Sequence, residues 1–338
     1  MVPAIELSGS ALRENVRTWK HRTGTAVRAV VKADGYRFGL ERIVRELHGS
    51  ADGFVVSDAD ELERVRMRSD APTATLQDRG PEHACRVADL HGIGNLARTD
   101  SLAALANRPD APELIVRVGL RLAAGWSAIE IEDADAYASV LAASGMRVEL
   151  WTHLSNPITE RDDRERFDRF AARFRAKGVH IAGEDVASTF PAARGSIRNS
   201  SVRIGAGLFG AGQSANGSRL RCAIHVRARV VDRLTSRGEL RSGYGDEPLA
   251  AGTALTVVRC GYSDGFPRVT KPYRKILSVG MQHATVLGTA PGEEFALLDE
   301  DDDLDELAAA AGVLPHQIVT GLGATFAGRP DFTPRLWS

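Results

Sequence analysis

The sequence predicts an α/β protein in which a (β/α)8 barrel is followed by a mainly β C-terminal domain. Three observations lead there. Strand-like and helix-like segments alternate eight times over roughly the first two thirds of the 338 residues, as in a closed parallel sheet wrapped by helices. The strand-like runs are short, apolar and β-branched, as befits strands covered on both faces. From about Arg221 the alternation stops, and strand-like runs follow one another between Gly, Pro and Asp clusters.

The eight barrel strands are expected near residues 26–32, 52–56, 73–77, 92–97, 113–118, 146–152, 179–183 and 201–208. Helical periodicity is clearest over 40–47, 58–67, 128–143 and 160–175. In the second region strands are expected near 222–231, 253–259, 275–287 and 295–298, with one helix over 304–311. The barrel is assigned to residues 8–218 and the β domain to 219–338. The acidic run at 299–303 reads as a solvated turn without chemistry.

Composition narrows the function. Hydrophobic residues make up 43%, enough for substantial cores, and 43 basic against 44 acidic side chains leave a net charge of −1. That balance argues against nucleic acid or an anionic membrane as partner. No basic stretch followed by an apolar core opens the chain, and no run approaches the roughly 18 apolar residues of a membrane span. Cys85, Cys222 and Cys260 are scattered, without metal-ligand spacing. They read as buried free thiols in a reducing compartment, so a cytoplasmic protein without a metal is expected.

Chemistry is expected first at Lys32. It ends the apolar run 26–31 and precedes Tyr36 by four residues, at the strand end where α/β barrels gather their sites. A lysine desolvated there loses proton affinity and can form a Schiff base. His153 ends the apolar strand Val148-Glu149-Leu150-Trp151 in the same way.

Val31-Lys32-Ala33-Asp34-Gly35-Tyr36-Arg37-Phe38-Gly39 resembles the V-K-A-D-A-Y-G-H-G signature of alanine racemases. Later matches follow in the family's order: Thr152-His153 to T-H, Ser188 to the serine of A-N-S, and Val202-Arg203-Ile204-Gly205 to V-R-x-G. Ser242-Gly243-Tyr244-Gly245 is similar to [V/S]-x-Y-G, and Gly261-Tyr262-Ser263-Asp264-Gly265-Phe266-Pro267-Arg268 to G-Y-[AS]-D-G-x-x-R. The resemblance covers nearly the whole chain. It implies a PLP-binding barrel plus β domain, with residues 1–7 joining the latter, and a homodimer with shared active sites.

The resemblance also implies roles. Lys32 carries pyridoxal 5'-phosphate (PLP) and acts as one base; Tyr244 is the second base and reaches the other subunit's cofactor. Tyr36 belongs to the cofactor signature, His153 lies beside the cofactor ring, and Arg203 contacts the pyridine nitrogen. Ser188 and the backbone N–H groups of Gly205 and Ala206 face the phosphate. Tyr262 and Arg268 belong to the substrate entrance. The departures are equally specific. Arg117 and Ala124 stand where the family has its arginine-orienting lysine and its carboxylate-binding arginine, with Arg121 the alternative nearby. Gly292-Glu293 replace a methionine-aspartate pair that abuts the substrate, and His316 replaces a phosphate-binding tyrosine at the entrance. Cofactor handling is thus expected to be retained and carboxylate recognition rebuilt, giving an amino-acid racemase acting on a substrate other than, or in addition to, alanine. A PLP-dependent decarboxylase and a PLP-binding homologue without efficient turnover remain the alternatives.

Overall fold

The computed structural model describes residues 3–154, 157–195, 200–213, 218–238, 240–241, 248–299 and 301–327. The chain forms two compact units: Val16–Gly35 with Leu40–Gly205, and Met1–Asn15 with Tyr36–Gly39 and Ala206–Ser338.

Strand β1 (Ala4–Leu7) belongs to the second of these, and the helix Gly9–Thr23 leads from it into the first. There follow β2 (Ala26–Val30), β3 (Gly53–Val56), β4 (Thr73–Thr75), β5 (Gly94–Asn95), β6 (Ile115–Gly119), β7 (Arg147–Trp151), β8 (Ile181–Asp185) and β9 (Ser201–Ile204). The order β4-β3-β2-β9 forms one parallel sheet and β5-β6-β7-β8 another. Parallel bridges from Ala74 to Ile93 and from Ser188 to Arg203 join the two into a closed eight-stranded ring. All eight expected strands are present, and the helices at Leu40–Leu47, Ala59–Arg66 and Glu160–Ala176 fall where periodicity puts them, whereas the one expected over 128–143 begins only at Ala134 and spans Ala134–Ser144, after a 3-10 turn at Ile131–Asp133.

Apolar residues fill the layer between ring and helices. Val116, Val118, Val148 and Leu150 pack with Leu141, Phe167, Phe170 and Phe174 in one cluster. The ring's buried polar side chains include Arg117, Glu149, Asp185 and Arg203, a sharp departure from the aliphatic layers usual in such barrels. Gly119 makes room for Trp151: a Cβ there would lie 2.6 Å from the indole.

In the second unit β10 (Ile224–Thr235) is central. It pairs antiparallel with β1 on one side and, through a bulge near Val231, with β13 (Ala254–Val258). Between them in sequence, β11 (Leu240–Arg241) and β12 (Pro248–Leu249) form a small hairpin. The sheet continues through β14 (Ile276–Val279) and β15 (Ala284–Leu287), while β16 (Glu294–Leu298) pairs with β10. The run expected as one strand over 275–287 is therefore two strands turning at Gly280.

Three further findings differ from expectation. A helix at Pro315–Ala327 follows Leu304–Ala311. Its two interior glycines weaken the helical pattern in sequence; Gly323 is needed because a Cβ would lie 2.3 Å from the Tyr36 carbonyl. The acidic run is not simply solvated: Asp302 is buried, accepts the Tyr273 hydroxyl at 2.9 Å and pairs with Arg274 at 2.9 Å. Asp303 caps the helix at Leu304, accepting from Asp305 N at 2.8 Å. The contact boundary falls at Ala206, ahead of the change in composition near 219. Asn15 ties this stretch together, donating to Leu208 O at 2.9 Å and Arg221 O at 2.8 Å.

Cys222 and Cys260 are buried free thiols and Cys85 is only partly buried. Among the described residues no single helix is long and apolar enough to cross a membrane.

Candidate active site

Lys32 follows β2, and the backbone after it is unusual. Ala33 (φ 55°, ψ 51°), Asp34 (φ 55°, ψ 47°) and Gly35 (φ 61°, ψ 47°) are left-handed, and Tyr36 and Arg37 continue with φ of 55° and 69°. Each non-glycine residue there costs about 1–2 kcal/mol, so the surroundings must hold the turn. Glu61 does so from the helix Ala59–Arg66, accepting Asp34 N at 2.9 Å and Ser57 N at 2.8 Å. Asp34 in turn accepts Leu40 N at 3.1 Å and Arg64 Nη2 at 2.5 Å. Strain of this kind collects at functional sites because it fixes a side chain's direction. Here it begins directly after Lys32.

Burial holds the Lys32 ammonium below its ordinary proton affinity; nearby Glu61 opposes the shift and the Arg203 charge adds to it. Its Nζ lies 5.7 Å from the centroid of the Trp126 indole. Trp126 packs on His153 with ring centroids 4.2 Å apart and 32° between planes, and meets Trp151 edge-on at 6.4 Å. Trp126 was not identifiable from sequence: a tryptophan in a short non-periodic loop offers no spacing to read, only its rarity, as one of four.

Arg203, on β9, is buried. Its Nη1 donates to Asp185 O at 2.8 Å and pairs with Asp185 Oδ1 at 2.6 Å, and Nη2 donates to Thr152 O at 2.6 Å. The other carboxylate oxygen of Asp185 accepts Arg117 Nη2 at 2.7 Å. Arg117 also pairs with Glu149 at 3.5 Å, and Glu149 accepts a two-pronged bond from Arg28, each prong 2.5 Å. Charges therefore alternate through the barrel: Arg28, Glu149, Arg117, Asp185, Arg203. Burial lowers the Arg117 pKa to about 10, against the pull of Asp185 and Glu149. The guanidinium groups of Arg117 and Arg203 lie 5.2 and 5.3 Å from the Trp151 ring. Asp185 and Glu149 were missed from sequence because a charge in a short strand reads as an exposed position.

Ser188 is half-buried and follows β8 at the start of the short helix Thr189–Ala193. The Gly205 N–H donates to Thr189 Oγ1 at 3.2 Å. Ala124 is exposed. Arg121 turns to Ala128 O, donating from Nε at 3.1 Å, pairs with Glu130 at 3.4 Å, and lines an open cleft of about 530 Å³ with Arg98 and Tyr137. It does not join the group around Lys32.

The remaining expected site residues belong to the β unit. Tyr36 is buried edge-to-face against Phe209 at 5.4 Å, and burial pushes its phenol well above the usual range. Ala206 is buried in the same unit. Tyr262 is 42% exposed on a tight turn. That turn is fixed by Arg259 on Asp264 at 2.7 Å and by Gly265 (φ 79°), whose Cβ would lie 2.2 Å from Gly321 O. Arg268, Gly292, Glu293 and His316 are exposed; Val230 N donates to Glu293 O at 2.7 Å, and His316 is the second residue of the helix Pro315–Ala327. Tyr244 lies outside the described residues.

The donor set in the barrel fits PLP. Lys32 supplies an amine with lowered proton affinity. Arg203 offers five N–H donors, of which the backbone carbonyls of Asp185 and Thr152 take two, leaving capacity for a ring nitrogen. His153 supplies an aromatic face, and Ser188 a hydroxyl for a phosphate.

The family profile described as "Alanine racemase, N-terminal domain" matches residues 7–213. Curated relatives include an alanine racemase of Xanthomonas axonopodis pv. citri, 29% identical with 92% of each chain covered. A protein of Pseudomonas putida named "Alanine racemase, catabolic" is 27% identical, covering 92% of this chain and 94% of that one. Among solved structures, alanine racemase from Acinetobacter baumannii superposes with a TM-score of 0.79 at 16% identity, covering 95% of this chain and 97% of the other. The enzyme from Streptomyces lavendulae gives 0.76 at 19% identity, with 95% of each covered.

Proposed function

This chain belongs to the alanine racemase family, and from that premise we propose that it is a PLP-dependent amino-acid racemase whose best substrate is not alanine. One observation supports the reading most: a strained strand-end turn aims a lysine of depressed proton affinity into a site shared with a buried, acceptor-pinned arginine.

When bound, PLP acidifies the substrate's Cα–H. Lys32 Nζ would carry the cofactor and, once exchanged for substrate, take or return the Cα proton on one face. Tyr244 of the partner subunit would serve the opposite face, which requires a homodimer. Arg203 would face the ring nitrogen. A guanidinium does not surrender its proton there, so the ring stays a weaker electron sink and simple proton exchange is favoured over deeper electron rearrangement. Asp185 and Thr152 hold Arg203 still for that task. Ser188 would take the phosphate. Tyr262 and Arg268 would line the entrance, with Gly292, Glu293 and His316 reshaping it. The substrate reading rests on Ala124, which has no charge, and on Arg121, which spends its guanidinium on Ala128 and Glu130. The balanced composition fits a cytoplasmic enzyme handling small molecules.

The test is incubation of the PLP-loaded protein with a panel of L-amino acids in deuterium oxide. Exchange at Cα with racemisation is expected, faster for larger side chains than for alanine. Release of carbon dioxide without racemisation would identify a decarboxylase, and no exchange on any substrate would leave a binding protein.

A further inference from the structure

Lys32 must exist in two forms if it moves a proton: a neutral amine that accepts and an ammonium that donates. Five groups bear on that balance in the barrel unit, three of them directly and two through Trp126. Glu61, on the helix Ala59–Arg66, favours the ammonium through space, its two oxygens each accepting a backbone N–H. Arg203, on β9, disfavours it. Trp126 presents its ring to Nζ at 5.7 Å, within cation–π range. His153, after β7, braces the indole from a 4.2 Å stack, and Trp151 meets it edge-on.

We propose that Trp126 is the residue that steadies the proton on Lys32, its indole face favouring the ammonium form and so setting the balance of proton transfer between Cα and Nζ. The selectivity follows from the physics. A π face attracts a cation and does little for a neutral amine, so the contact acts on one protonation state alone. Unlike a carboxylate, an indole cannot accept the proton it stabilises. The proton therefore stays on Nζ, available for return. In the step concerned the Cα–H bond would break, the proton would go to Nζ, and the electron pair would stay on Cα, where bound PLP supplies the stabilisation; the reverse step would restore the bond. Trp126 touches the base rather than the reacting carbon, which makes it a positioning residue. His153 shares the role by holding the indole in place. The inference rests on Lys32 being the cofactor-bearing base.

The first test needs no turnover. The full-length chain without cofactor is acetylated competitively across a pH series, and each of its five lysines is followed by mass spectrometry. Trp126→Leu is expected to lower the Lys32 midpoint by about 0.5–1 unit. Trp126→Phe should recover at least half of that shift, and Lys20 and Lys177 should not move, which reports an intact fold. With PLP bound, Trp126→Leu should slow Cα exchange for one enantiomer several-fold more than for the other, because only one face uses Lys32. An unmoved or raised Lys32 midpoint overturns the proposal, as does an equal loss for both enantiomers. Failure of the chain to bind PLP would overturn the assignment of Lys32 instead, while the acetylation series would still decide what Trp126 does to its proton.

Discussion

Two strand ends of one barrel have been treated differently. At the end of β2 the strained turn is tied by Glu61, and the neighbouring buried Arg203 is tied by Asp185 and Thr152. After β6 the loop divides its tasks: Trp126 packs inward on His153, whereas Ala124 is exposed and Arg121 faces away toward Ala128 and Glu130. On the proposed function, the difference teaches that holding a cofactor and choosing a substrate are separable problems. The first needs strain, burial and charge pairing deep in the fold. The second sits at positions 121 and 124 of a loop whose Trp126 packs back on His153, so those two positions can vary while the indole keeps its place.

The comparison breaks outright if the β2 end is dispensable. Lys32→Ala should abolish turnover, and so should Tyr244→Phe. Mixed after subunit exchange, the two inactive proteins should regain activity through hybrid dimers with one intact site; no rescue despite proven exchange would count against a shared site. Next in size is the tie beneath Arg203. Asp185→Ala leaves Arg117 and Arg203 buried without their common carboxylate, which should destabilise the fold by about 3–5 kcal/mol. Urea denaturation would read this as a large fall in midpoint at unchanged slope.

The loop after β6 should behave in the opposite way. Ala124→Arg is expected to leave stability almost unchanged while shifting specificity toward alanine by about one to two powers of ten, the worth of a roughly 1.5–3 kcal/mol arginine–carboxylate contact. Competition between alanine and a larger amino acid would measure it. The smallest effect is in pH. Because burial lowers the proton affinity of Lys32, its neutral form appears below the ordinary lysine value of 10.5. The rate of cofactor attachment should therefore rise with pH and level off below that value. A rise that continues beyond it would mean that Lys32 titrates as if in water.

Much of the barrel was legible because short strand-like segments alternate with helical patterns, and a strand lies at each of the eight expected positions. The helix Pro315–Ala327 was not, because Gly321 and Gly323 serve close backbone approach at the expense of helical pattern. Lys32, His153, Ser188 and Arg203 could be named as candidates because each sits in a short motif in or just after a strand. Asp185 could not: its meaning lies in Arg117, 68 residues away, and no local spacing encodes that pairing. Trp126 was invisible for the same reason, since its relation to Lys32 exists only once the ring has closed.

The central claim is that the strained turn after β2 exists to present Lys32 to PLP. Borohydride reduction of the PLP-loaded protein, followed by proteolysis and peptide mapping, tests it most directly. The fixed cofactor should be recovered on Lys32 and on none of the other four lysines, Lys20, Lys177, Lys271 and Lys275. Recovery on any of those, or a folded protein that takes up no PLP, would contradict it.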